Sequence, residues 1–286
     1  MKQLLFLLIG FQIIAQTPTT GKITDAETGK PIPYVNIWIE NGATGVTSEE
    51  NGTFALLVPS DKNLVFSAMG YETRTIKLAD AQTVKLNPII FDLDEVVIAK
   101  PTREIKLEIG GSKEFPHTYA SGQTPWIYAK YFPFTNDYSK VKYIKNAVIF
   151  TKSPIKNATF KLRIFEVDAN GLPGMDLINE DVVITVKKGK QRNVIDVTKF
   201  NITFPNNGIF IAYEWMIIEK NKYTLDFKTL DNKYVTYAPN VVCNPVETEN
   251  TFNFSGGKWK KIALNDNKVK DYKTVLEPAI NLILTN

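Results

Sequence analysis

The spacing of turn residues between Gly21 and Leu78 constrains this chain more than any other feature. Short runs of alternating apolar and polar residues are interrupted there, at near-regular intervals, by glycine, proline, asparagine and aspartate. Lys22, Ile23 and Thr24 read as a first strand. Residues 25–31 read as a loop, with Gly29 where the backbone must turn and Pro31 where pairing must stop. Over residues 34–40 the alternation is clean: Val35, Ile37 and Ile39 point one way, and Tyr34, Asn36, Trp38 and Glu40 the other. The aliphatic side is the expected core side. Asn41-Gly42 signals a tight turn, and Glu50-Asn51-Gly52 another. Strands are expected at 45–48, 53–58, 64–67, 72–78 and 84–86, with a last one at 95–98. Short strands at this spacing predict a β-sandwich and nothing helical.

Gly21, Asp25, Thr28, Gly29, Pro31, Val35, Ile37, Gly45, Thr47, Gly52, Phe54, Leu64, Ser67, Gly70 and Tyr71 follow one another in an order that resembles the carboxypeptidase regulatory-like domain, a transthyretin-like (prealbumin-like) sandwich. The resemblance implies a fold and an accessory, non-catalytic module; it does not imply a ligand. Leu93-Asp-Glu-Val-Val-Ile98 also resembles the motif that follows such a sandwich in SusC-type TonB-dependent receptors of the outer membrane, ahead of a plug and a large barrel. The favoured reading of residues 95–98 is simply the closing strand of the sandwich. The residues after Ile98 are too few for such a barrel and lack long amphipathic strands with aromatic girdles. The chain is therefore not expected to be a receptor of that kind itself.

Met1-Lys2-Gln3, the apolar run 4–14 and Ala15 have the form of a secretory signal peptide, 1–15, with cleavage expected after Ala15. The run is short for a bilayer-spanning helix, so no transmembrane segment is expected in the mature chain. Cys243 is the sole cysteine, so an exported chain would depend on its cores rather than on disulfides. Net charge is +4, and only four of the 34 basic residues are arginine. The lysines are dispersed, with small clusters at 187–190 and 258–261 on expected hairpin tips. A nucleic-acid binder would show a dominant basic, arginine-rich face, so no nucleic-acid partner is expected.

Catalytic chemistry finds little support. A zinc peptidase needs several His and Glu ligands, and the chain has one histidine, His117. His117 would also have to be the base of any Ser-His or Cys-His pair, and no Gly-x-Ser-x-Gly elbow is present. No catalytic residue, metal ligand or cofactor is expected. Asp168, Asn170 and Asp176 flank Gly171 and Gly174 as in a calcium loop, but the terminal bidentate Glu is missing; a hairpin turn is the better reading.

Beyond a polar connector at 99–123, with a strand admitted near residues 105–108, a second strand series is expected at 141–150, 159–167, 181–186, 194–197, 208–218, 224–227, 233–237, 259–264 and 279–285. The expectation is an all-β chain: a small transthyretin-like sandwich at 16–98, then a larger antiparallel sandwich of jelly-roll type at 124–286. In the most apolar strand, Glu214 shares a face with Phe210, Ala212, Met216 and Ile218, and Tyr213 and Trp215 lie opposite. Glu214 could accept hydroxyls of a sugar stacked on Trp215. The favoured reading pairs it with a basic residue such as Arg163. Tyr34 and Trp38 are candidates for an exposed binding surface, or for contacts with the second domain. Trp126, Trp215 and Trp259 are candidate stacking platforms for a glycan. The expected function is a non-enzymatic binding or scaffold protein exported to a Gram-negative envelope (periplasm, outer-membrane-associated or extracellular), with an envelope protein or a glycan as partner. A glycan-binding accessory is the alternative, and a carboxylate-dependent hydrolase a more distant one.

Overall fold

A computed structural model describes residues 18–59, 61–89, 104–113, 117–226, 233–264 and 274–286. The expected signal peptide, the strand at 95–98 and the receptor-like motif lie outside the described residues. The described chain is all β, with only single-turn 3-10 segments and no helix long and apolar enough to cross a membrane.

The first lobe carries β1 (Thr19–Asp25), β2 (Asn36–Ile39), β3 (Gly45–Thr47), β4 (Thr53–Leu56), β5 (Asn63–Ser67), β6 (Arg74–Lys77) and β7 (Thr83–Leu86). They form a three-stranded sheet β4-β1-β7 and a four-stranded sheet β3-β2-β5-β6. Between the sheets, Ile23, Val35, Ile37, Phe54, Leu64, Phe66, Val84 and Leu86 make one buried core. The aliphatic side of 34–40 is thus the core side, as its alternation predicts. The strand begins at Asn36 rather than Tyr34, because Tyr34 adopts a left-handed φ of 56° that extended pairing does not permit.

The second lobe carries β8 (Lys106–Ile109), β9 (Thr118–Tyr119), β10 (Ile127–Phe132), β11 (Tyr143–Ser153), β12 (Ala158–Val167), β13 (Pro173–Asp176), β14 (Val182–Val186), β15 (Gly189–Asp196), β16 (Ile209–Trp215), β17 (Lys222–Asp226), β18 (Lys233–Tyr237), β19 (Asn240–Val246), β20 (Thr251–Ser255), β21 (Lys258–Lys261), β22 (Val275–Pro278) and β23 (Ile280–Thr285). One seven-stranded sheet runs β13-β12-β16-β10-β20-β21, with β14 also on β12. A second runs β22-β19-β11-β23-β8, with β15 on β11 and β9 on β19. Phe160, Leu162, Ile211, Tyr213 and Trp215 from the first meet Ile144, Ile149, Val241, Leu282 and Leu284 from the second in a common core. The chain crosses repeatedly between the sheets, so this is an antiparallel sandwich.

The stretch expected to be a connector is in part structural. β8 pairs with β23 in the register Leu282↔Ile109, and β9 pairs with β19. Leu107 and Ile109 pack onto the core, and β8 covers what would otherwise be an open strand edge.

Gly21 lets its own sheet close up, with Phe54 of β4 and the turn ahead of β7 folded over β1. A Cβ there would lie 2.3 Å from the Ala81 carbonyl oxygen and 2.6 Å from the Phe54 ring. Gly21→Ala is expected to cost about 1–3 kcal/mol of stability through overpacking. Urea denaturation checks this; an unchanged midpoint would show that the Phe54 ring and the Ala81 turn have room to shift.

Candidate functional site

The site grows from the side of β12 and β16 that faces away from the large core. Cross-strand partners share a face, and the register pairs Phe165 with Phe210, Arg163 with Ala212 and Lys161 with Glu214. An aromatic layer therefore gives way along the strands to a charged one. Phe165, Phe210, Ala212, Ile127, Ala129 and Phe252 form a separate apolar cluster here, with Phe254 and Trp259 packed against it. Strand β16 is buried along its whole length: Asn36 of the first lobe closes over Glu214, and Phe165, Phe252 and Tyr131 pack around Phe210.

Every charge in the layer has a partner. Arg163 donates from Nη1 to Glu214 Oε2 at 2.5 Å and from Nε to Asp176 Oδ1 at 3.1 Å; its Nη2 donates to Asp176 Oδ2. Glu214 Oε1 accepts from Asn36 Nδ2 of β2 at 2.7 Å. Lys161 Nζ lies 2.8 Å from Asp181 Oδ2 and donates to the Tyr34 carbonyl at 2.8 Å. Burial alone would push the Glu214 carboxyl up, but Arg163, Lys161 and Asn36 together outweigh it and hold it below the usual carboxylate range. Asp176 behaves oppositely: burial raises its carboxyl despite Arg163. Two carboxylates share one guanidinium, and Asp176 is the less compensated of the two.

The lobes are joined beyond this network as well. Thr47 N donates to the Ile217 carbonyl at 3.2 Å, Ile217 N to Thr47 Oγ1 at 3.0 Å, and Glu219 N to Glu49 Oε1 at 2.8 Å. Trp38 meets Phe254 edge-on at 6.1 Å; Phe254 lies 5.3 Å from Trp259, and Trp259 5.4 Å from Phe165. These four rings line a cleft of about 340 Å³ between the lobes. Arg163 and Asp176 also line it, and Met175 and Ile89 expose large apolar side chains beside it. A second recess of about 700 Å³, lined by residues that include Lys22, Thr47, Glu49, Glu219 and Tyr237, lies where Thr47 meets Ile217.

Among the residues singled out from sequence, Trp38 and Trp259 come together on the cleft. Tyr34 also faces the second lobe, with Lys161 Nζ 5.9 Å from its ring centroid. Trp215 is only 1% exposed in the large core, so it is not a stacking platform. Glu214, also 1% exposed, is no sugar acceptor and pairs with Arg163, the favoured expectation. Trp126 is partly buried against the large core, beside Tyr119. The Asp168 segment is a hairpin turn between β12 and β13, its Oδ1 accepting from Asn170 N and Leu172 N at 2.8 Å each. Sequence reasoning missed Asn36, Phe165, Asp176 and Phe254 as site residues. Only the identical parity of Asn36 and Trp38 on one strand could have signalled the first.

The model of the CarboxypepD_reg-like domain family matches residues 19–98. The first lobe is a CarboxypepD_reg-like domain. Two TonB-dependent receptors of Formosa agariphila are similar to parts of this chain. One is 35% identical over 120 residues, 39% of this chain and 12% of the receptor. The other is 34% identical over 87 residues, 29% of this chain and 8% of the receptor. A solved structure of infectious bursal disease virus (Gx strain) aligns over 94% of this chain and 59% of that chain, at 12% identity and a TM-score of 0.26, too low to indicate a shared fold. In the CarboxypepD_reg-like lobe, the face of β2 opposite its own core is the one that supplies Asn36 and Trp38 to the cleft.

Removing Arg163 strands two carboxylates. Arg163→Met is expected to cost about 3–5 kcal/mol, measured by chemical denaturation; a loss under 1 kcal/mol, the scale of an exposed pair, would show that the network is solvated. Glu214 has a folded pKa below its ordinary 4.5, so its stabilisation is present above that value and is lost as pH falls through the folded pKa. The stability gap between wild type and Glu214→Gln should therefore narrow below pH 4.5. Asp176, whose carboxyl Glu214 helps to raise, acts with the opposite sign and offsets part of this narrowing. Denaturation series at several pH values test this, and a gap that widens on acidification would refute it.

Proposed function

We propose that this chain is an exported, non-enzymatic binding or scaffold protein of a Gram-negative bacterial envelope, and that the cleft between its lobes is the binding site. The observation that carries the reading is the cleft itself: Trp38 comes from the CarboxypepD_reg-like lobe, Phe165, Phe254 and Trp259 from the larger one, and the concavity exists only because the two are joined. Aromatic walls with a few fixed polar groups are the usual make-up of a ligand site. The engagement of Asp176 and Glu214 by a single Arg163 favours binding over hydrolysis, since neither carboxylate is left as an independent acid or base. The partial similarity to TonB-dependent receptors supports an outer-membrane-associated setting, and the N-terminal sequence supports export. An envelope protein is the partner this setting favours. A glycan is the second reading, supported by the half-exposed Trp259; Trp215 has no part in it.

Chemical cross-linking in envelope extracts tests the proposal. The wild-type protein should capture a defined partner that is lost with Trp259→Ala and with Met175→Glu, while the melting temperature of Met175→Glu, altered at an exposed side chain, stays within about 2 °C. A partner retained by both variants moves binding away from the cleft. A turnover abolished by Asp176→Asn would replace the binding reading with an enzymatic one.

A further inference from the structure

We propose that the cleft is built for a cationic side chain, lysine or arginine, presented by a partner polypeptide. This deepens the binding role proposed above and rests on it. The argument is charge and ring complementarity. Within the charged layer, Arg163 is bound by both Asp176 and Glu214, and the adjacent Lys161 is balanced by Asp181. The layer therefore carries one carboxylate more than it has cations. The excess is located by exposure. The Glu214 side chain is 1% exposed and also holds Asn36, whereas the Asp176 side chain keeps 17% of its surface and lines the cleft. Asp176 lines the cleft beside Arg163, 14% exposed, which donates to both of its oxygens; an entering donor can reach only the lone pairs that Arg163 leaves on Asp176.

The rest of the cleft suits the other half of such a ligand. Trp38, Phe254 and Trp259 offer ring surfaces near one another, and aromatic faces attract ammonium and guanidinium groups; the Phe165 ring already carries the Arg163 guanidinium, 5.1 Å from its centroid. Met175, 68% exposed, and Ile89, 43% exposed, provide apolar contact for a long aliphatic stem and its flanking backbone. Lys258 and Lys260 do not oppose this, since alternation along β21 puts them on the other face from Trp259, and Lys261, on the same face as Trp259, is paired with Glu249 at 3.4 Å. An anionic ligand would meet a balanced Arg163–Asp176 pair backed by the excess carboxylate of the buried layer. A neutral sugar would find rings but leave the excess carboxylate uncompensated.

The test uses the full chain and the intrinsic fluorescence of its tryptophans. The probes are N-acetyl-arginine methylamide and N-acetyl-lysine methylamide, against N-acetyl-citrulline methylamide, which keeps the shape of arginine without its charge. The cationic probes should quench saturably, bind at least about fivefold more tightly than citrulline, and weaken as sodium chloride is raised. Asp176→Asn should bring the arginine probe to the citrulline level. Because the citrulline and salt comparisons are made on the unaltered protein, the proposal is decided even if that variant fails to fold. Equal binding of arginine and citrulline probes overturns the proposal, as does absence of quenching up to the solubility limit. Saturable binding of a neutral oligosaccharide with none of the cationic probes also overturns it. Any of these outcomes leaves the partner capture that depends on Trp259 standing, so failure of the ligand class is distinct from failure of the binding role.

Discussion

A single guanidinium shared between two carboxylates organises this molecule. Arg163 holds Glu214 on the neighbouring strand and Asp176 on the hairpin beyond. Through Glu214 it reaches Asn36 of the other lobe. Removing such groups from water costs several kcal/mol per ion, and their attraction offsets this only when the geometry is good and the remaining valences are filled. The network meets that condition by recruiting a side-chain amide from outside its own sheet. Its consequence is registration more than strength: Glu214 is satisfied only when β2 of the CarboxypepD_reg-like lobe sits in one place over β16.

That placement explains why the larger sandwich tolerates an apolar outer face. A sheet in a two-layer sandwich ordinarily has one face in the core and one in water. Here β16 alternates Ile209, Ile211, Tyr213 and Trp215 inward with Phe210, Ala212 and Glu214 outward, and both sets are buried. The first lobe covers the charged end of the outer face and leaves the aromatic end partly open, and the open remainder is the cleft. The cleft is thus the part of an inter-lobe contact that the contact does not fill.

The legibility of this structure in its sequence follows the same division. The small sandwich was readable because Val35 and Ile37 alternate with polar neighbours and Asn41-Gly42 and Asn51-Gly52 punctuate them. Glu214 was readable as a paired residue because a carboxylate in so apolar a run must have a donor. Strands β10, β19 and β22 were not. Pro245 and Pro278 interrupt two of them. In β10, Lys130 breaks the apolar pattern although it is buried, its Nζ 2.7 Å from both Glu277 and the Gly110 carbonyl oxygen. Asp176 was hidden because Pro173-Gly174 reads as a turn. Trp215 misled because an indole on an alternating strand looks the same in sequence whether it faces solvent or a second sheet. Register between distant strands decides such cases, and local pattern does not encode it.

The two kinds of position are interleaved along β2. Val35 and Ile37 secure the fold of the CarboxypepD_reg-like lobe; Asn36 and Trp38, one residue out of step, secure its place against the larger lobe. Because side chains alternate strictly across a strand, substitutions at 36 and 38 can re-aim the lobe toward another partner without touching its core. The converse also holds: core substitutions can repack the sandwich and leave its docking face intact. A match to the domain family therefore speaks to the first set of residues, and a match covering only 12% or 8% of a receptor says nothing about the second. Fold similarity carries no function on its own, and on the reading proposed here the residues that face Glu214 and Phe254 are the ones that matter.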